Sequence, residues 1–337
     1  TTGKWLLYSM NVTVITKDGH VWNINEAVVK ITQAMIADAD ITLDFNHEGP
    51  DILQTELDSV ILNLANVYHY DPKRITVLTA NQVQTHDTFN VQYTTPFHLV
   101  EHTYQFALDY TKQIDKHFGI FVGRSNGPRL HLASHLYNEY KNQSLITYHY
   151  NVAREFHKDN VGLEELIKMY NKSNLTVETY FLQACPIIEN TIHSVDHIDI
   201  NCEQAVFIDD KEQFVKNYTK FFAEIVCETC YNGNTFFPTE KTWRPILLET
   251  PFIVQGPQWY LRRLQDMGFQ TFDRWWDEGY SEDPADYQLE VIKDVVKDIS
   301  ARSVEDLSTM YKEMQSVLKH NKQCLLELTK DDFAKQR

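Results

Sequence analysis

Residues 118–148 read FGIFV-GRSNGP-RLHLASHLYNEY-KNQ-SLITY, and the pattern changes period within them. The compact apolar run 118–122 has the length and composition of a strand. Gly123-Arg124-Ser125-Asn126-Gly127-Pro128 is a turn, 129–140 has helical character, and 145–148 returns to strand. A strand, a helix and a second strand at this spacing form a parallel βαβ unit.

The same alternation extends outward on both sides. Upstream, the β-branched runs 12–16, 41–45 and 75–79 predict strands. Between them, 26–37 sets Ala27, Val28, Ile31, Met35 and Ile36 near one helical face, and 53–65 does so with Leu53, Leu57, Ile61, Leu64 and Ala65. A helix over 99–114 leads out of this unit. Downstream, helices are expected over 163–170, 211–218, 239–248, 259–267, 286–299 and 304–318, and strands over 205–208, 221–227, 252–254 and 269–272. The fold class is therefore α/β, with two Rossmann-like domains facing a cleft. The expected divisions are 1–115, 116–283 and a C-terminal helical part, 284–337, that packs back across both. In such sheets ligands sit beyond the carboxyl ends of the strands.

Composition narrows the chemistry. The 337 residues hold 31 Lys and Arg against 47 Asp and Glu, a formal charge of −16. That excess of acid argues against a surface tracking nucleic-acid phosphates. With 43% hydrophobic and 23% charged residues the chain has the balance of a soluble protein. No apolar stretch approaches the length of a membrane span. The N-terminus lacks a signal-peptide pattern, and five dispersed cysteines read as reduced thiols of a cytoplasmic protein. Cys227 and Cys230 form a CxxC whose first cysteine lies within the apolar strand 221–227, without the second close pair that structural zinc requires. No metal site is expected.

The densest chemistry lies in 228–254, ETCYNGNTFFPTEKTWRPILLETPFIV. A strand ends near Glu228, a polar loop follows, and Thr239-Glu240-Lys241 opens a helix. A helix start offers unpaired N–H groups and a positive dipole end to a phosphate. Lys241 adds charge there, and Glu240 can accept from two ribose hydroxyls. The same three residues also make an ordinary capped helix start. Arg124, in the turn after strand 118–122, and Arg129, which opens the next helix, suit diphosphate binding or, equally, surface ion pairs. Around the end of strand 41–45, Glu48 first and Asp44 second are the carboxylates placed to act as a general base; capping the next turn is the alternative for Glu48.

Thr239-Glu240-Lys241-Thr242-Trp243-Arg244, with Glu228 twelve residues before Glu240 and a strand from Pro251, resembles the donor-site signature of the α1,3-fucosyltransferase family. The resemblance is closest over about thirty residues and extends loosely to 118–148. It is shared with glycosyltransferases of large DNA viruses and phages, whose setting would be the cytoplasm of an infected host cell. It implies a GT-B glycosyltransferase without a metal cofactor. The donor would be a nucleotide-diphosphate sugar, GDP-linked rather than UDP-linked, and the acceptor a glycan or glycoconjugate. By that resemblance Lys241 contacts the diphosphate, Glu240 the ribose, Glu228 the pocket floor, and Phe236 or Phe237 the region near the base. Thr229-Cys230 stands where the family has Asn-Ser. The family's base-bearing Thr-Gly-Glu-Asn has only a faint counterpart in 74–81, which ends Ala80-Asn81. A non-catalytic nucleotide-sugar-binding protein and a DNA-modifying glycosyltransferase are the rival readings.

Three further features stand outside that signature. Asp38-Ala39-Asp40 matches an Asp-x-Asp metal motif but reads as a solvated turn. Asp209-Asp210 reads as a helix cap. The stretch 272–280, FDRWWDEGY, sets aromatics beside acids, a composition that suits either sugar rings or core packing.

Overall fold

In a computed structural model of the chain, the described residues are 9–17, 20–21, 23–45, 49–94, 111–122, 127–148, 216–231 and 233–335. The chain divides into two compact units, one of Thr1–His98 with Thr229–Pro238, the other of Leu99–Glu228 with Thr239–Arg337. The final helices belong to the second unit.

The first unit runs β1 (Ser9–Thr13), a small hairpin of β2 (Thr16–Lys17) and β3 (His20–Val21), α1 (Ile24–Ile36), β4 (Asp40–Asp44), α2 (Leu57–Tyr68), β5 (Ile75–Thr79) and β6 (Asn90–Tyr93). Its sheet is wholly parallel, in the order β1-β4-β5-β6. Successive crossovers in one direction set α1 and α2 on the same face, where they pack together. Val12, Ile31, Leu43, Ile61 and Val77 fill the layer between helices and sheet. Beyond α1, Arg74 bridges Asp38 and Asp40, so the Asp-x-Asp carboxylates are held by a guanidinium.

The second unit contains β7 (Lys116–Val122), α3 (Gly127–Tyr140), β8 (Ser144–Tyr148), β9 (Phe221–Cys227), α4 (Glu240–Leu247), β10 (Phe252–Gln255), α5 (Tyr260–Asp266), α6 (Ala285–Ser300), α7 (Val304–Glu313) and α8 (Gln315–Lys335). Its sheet is again parallel, in the order β8-β7-β9-β10. All seven residues of β9 are buried, as expected of a central strand covered on both faces. From β7 the chain moves outward to β8, whereas from β9 it moves outward to β10. Right-handed connections therefore set α3 and α4 on opposite faces, where α6 and α8 pack over them. The chain order reverses between β7 and β9, which is the topological switch point of this sheet.

Several expectations need correction. Residues 269–272 form no strand. Gly268 takes a left-handed φ of 97° after α5, and the backbone of Gln270 bonds to the Asn321 side chain instead of a sheet neighbour. The helix expected over 304–318 breaks at Met314 into α7 and α8. The described part of the 99–114 helix is irregular, with Gln113 N–H donating to Thr219 O at 2.7 Å. β6 is invisible to periodicity because Val91 is its one aliphatic residue. The expected elements 163–170 and 205–208 lie outside the described residues, as does Asp209-Asp210. Among the described residues no helix is long and apolar enough to cross a membrane.

Candidate functional site

Three of the features that stand out in the sequence gather at the carboxyl ends of the two central strands of the second sheet. β9 ends at Cys227, immediately before Glu228, and the chain re-enters this unit at Thr239 to start α4. Arg129 lies in the first turn of α3, the helix after β7. It is buried, and its Nε donates to Cys227 O at 3.3 Å, which ties the α3 start to the end of β9.

Glu228 is fully buried and holds the helix start from beneath. One carboxylate oxygen accepts from Thr239 N–H at 3.0 Å, Thr242 Oγ1–H at 2.6 Å and Tyr260 O–H at 2.9 Å, and the other accepts from Thr239 Oγ1–H at 2.6 Å. Four donors around a carboxylate offset the cost of taking it out of water. Thr239 in turn caps α4, its Oγ1 accepting from Lys241 N–H at 3.3 Å. Sequence reasoning does not single out Tyr260 or Thr242. Thr242 follows Thr239 by three positions, the spacing that puts two residues on one helix face, and that is the signal available for it.

Glu240 and Lys241 pair with each other, Oε1 to Nζ at 2.7 Å. Burial opposes ionisation of Glu240, but Lys241 beside it, helped by Arg244, holds its carboxyl below the ordinary range. The Lys241 side chain is 20% exposed and that of Glu240 11%, so Lys241 is the more open cation-bearing edge of the turn. Lys241 Nζ also reaches Thr239 Oγ1 at 3.2 Å.

Behind the turn lies a buried network that the sequence does not reveal. Arg244 on α4 pairs with Glu224 in the middle of β9 and bonds the Tyr218 hydroxyl. That hydroxyl donates to Glu224 Oε2 at 2.6 Å. Burial drives the Tyr218 phenol well above its usual range. Lys112 sits beside them, its Nζ 5.2 Å from the ring centres of both Phe221 and Tyr311 and donating to Thr250 Oγ1 at 2.9 Å. Desolvation brings its amine down to about 7.

The remaining candidates fall elsewhere. Asp44 ends β4 in the first unit, is buried, and accepts from Asn11 Nδ2 at 3.3 Å. Phe237 also belongs to the first unit, buried with Ala80 and Cys230. A Cβ on Gly49 would stand 2.4 Å from Phe237 Cβ, so this approach requires glycine. The rest of the loop is pinned by Asn81, whose Oδ1 accepts from Phe236 N–H at 2.8 Å and whose Nδ2 donates to Asn234 O at 3.0 Å. Asn81 is thus a clasp within the first unit. Arg124 and Glu48 lie outside the described residues. Cys227 and Cys230 are thiols rather than a disulfide, and burial pushes Cys227 up to about 12, far from a reactive thiolate. Among the described residues, no group of three His, Cys, Asp or Glu side chains is placed to hold a metal.

No family model, curated protein or solved structure matches the chain.

Proposed function

We propose that this chain is a GT-B glycosyltransferase that moves a sugar from a nucleotide-diphosphate donor to a hydroxyl of a glycan or glycoconjugate. The observation that supports it is the convergence of Arg129, Glu228 and Thr239–Lys241 on the switch point between β7 and β9, where parallel sheets bind nucleotides. In this reading the acceptor oxygen attacks the anomeric carbon while the bond to the diphosphate breaks. The departing oxygens take up the electron pair, and Lys241, with Arg124 and Arg129, stabilises that growing charge. Glu228 keeps the α4 start in place by its four hydrogen bonds rather than by touching substrate. Asp44 or Glu48 takes the acceptor proton. GDP-linked donors are favoured over UDP-linked ones on the motif resemblance alone.

Thermal unfolding in the presence of GDP-, UDP-, dTDP- and CMP-linked sugars tests the reading. One donor class should raise the melting temperature by mass action, and that donor should be hydrolysed slowly without an acceptor. Lys241→Ala should abolish the hydrolysis. Binding without turnover in the unaltered protein would point instead to a nucleotide-sugar-binding protein. No response to any donor would overturn both.

A further inference from the structure

A cavity of about 500 Å³ opens on the second unit, and its lining includes none of Arg129, Glu228 and Thr239–Lys241. Its wall is formed by the last turn of α5, the segment after it and the first turn of α8, and it presents Gln265, Gln270, Asp273, Arg274, Trp275 and Ser316. We infer that this cavity is a saccharide subsite that holds one neutral pyranose ring of a glycan against Trp275.

The chemistry of the wall argues for a sugar. Trp275 is half-buried, so it offers indole surface while remaining anchored, with Nε1 donating to Glu313 Oε2 at a long 3.5 Å and the Arg274 guanidinium carbon 5.5 Å from its ring centre. The C–H bonds on one side of a pyranose carry partial positive charge on hydrogen and complement the negative face of an indole. Around this platform stand side chains that suit vicinal hydroxyls. Gln270, Asp273 and Arg274 are exposed, and Gln265 spends its Nε2 on Thr271 Oγ1 at 2.8 Å, leaving Oε1 as an acceptor. Amides and a carboxylate can each both fix and discriminate hydroxyl positions. The wall carries one Asp and one Arg, so its charges cancel, which favours a neutral ring over an acidic sugar or a phosphate in a chain of net charge −16. The volume lies in the range of about 300–1,000 Å³ usual for small-ligand sites.

The wall is also built rigidly. Asn321, itself buried, accepts from Gln270 N–H and donates to Gln270 O, both at 2.7 Å. His320 bonds Gly268 O at 2.8 Å, and Glu278 accepts from Phe272 N–H at 2.9 Å. A loop fixed in this way loses little entropy when a weakly held ring docks. The motif 272–280, which the transferase reading leaves unused, thereby acquires a role. The inference requires no donor and stands whether or not the chain transfers sugar.

The experiment uses the full chain labelled with 5-fluorotryptophan, whose six ¹⁹F lines are assigned through Trp275→Phe. Lactose, N-acetyllactosamine, maltotriose, cellotriose and chitotriose are titrated separately. At least one should shift the Trp275 line saturably, while GDP and UDP leave it in place. Saturation transfer to the same saccharide should show affinity about tenfold weaker for Trp275→Ala. Asp273→Asn and Gln270→Ala, at exposed positions, should weaken it comparably with an unchanged melting temperature. They carry the test should Trp275→Ala fail to fold. A Trp275 line unmoved by all five saccharides, a shift with GDP or UDP instead, or unaltered affinity in the Asp273 and Gln270 variants would overturn the inference.

Discussion

Glu228 and Tyr260, 32 positions apart, meet through a 2.9 Å hydrogen bond that joins the end of β9 to the first turn of α5. With Thr239 and Thr242 the phenol completes a cage of donors about one buried carboxylate. The start of α4 is therefore held by an anion beneath it as well as by its own cap.

Glu228→Gln should be strongly destabilising although it is nearly isosteric. An amide nitrogen must then face hydroxyl protons, and at least one buried donor loses its acceptor, at a cost of about 2–4 kcal/mol. Urea unfolding checks this as a lower midpoint with little change in slope.

The Arg244–Glu224 pair should behave non-additively. Arg244→Met leaves a buried carboxylate without its counter-ion and should cost about 3–5 kcal/mol. The double variant Arg244→Met, Glu224→Gln should recover a substantial part of that loss. A double-mutant cycle measures the coupling, and purely additive losses would contradict the arrangement.

Lys112 should make stability rise with alkaline pH. Its amine is brought down to about 7 in the folded protein, whereas an unfolded lysine titrates near 10.4. Between those values the unfolded chain binds the additional proton, so unfolding free energy increases with pH. Lys112→Met replaces the desolvated amine beside Phe221 and Tyr311 with an apolar thioether of similar length and should raise stability at pH 7 by on the order of 1–3 kcal/mol. The advantage should shrink towards pH 10.

Glu278 should act in the opposite direction. Burial raises its carboxyl to about 7, with Asp273 adding to the rise and hydrogen bonds from Thr271 and the Phe272 and Asp273 backbone opposing it. Here the folded protein holds the proton between about 4.5 and 7, so its contribution is full in acid and is lost as pH rises through that window. Glu278→Gln should be about neutral at pH 5 and stabilising by on the order of 2 kcal/mol at pH 8. Thermal melts at the two pH values decide it.

Much of this architecture is legible in the sequence because it is periodic. The apolar run bounds β9 correctly, and the helical face locates α1, since local pattern and tertiary burial agree there. Thr239 is legible as a cap for the same reason. What escapes is set by contacts distant along the chain. Asn81 meets Asn234 across 153 positions, and Arg244 meets Glu224 across 20, with no pattern in either neighbourhood to announce it. The segment 269–272 misleads because Phe269 and Phe272 are buried as strand residues would be, while the backbone of Gln270 between them is satisfied by a side chain from α8. Glu240 and Lys241 suggest two separate ligand contacts when read singly, whereas adjacent opposite charges find each other first.

Because 229–238 belongs with the first unit although its neighbours on both sides belong to the second, the peptide backbone passes between the units three times. A gene fragment ending at residue 98 would omit Asn234 and Phe236, taking the acceptor from Asn81 Nδ2 and one of the donors from its Oδ1, and would leave Ala80 without Cys230 and Phe237. Dissection of this protein into independently expressed halves therefore calls for a circularly permuted or loop-grafted first half, in which 229–238 is supplied on the same polypeptide.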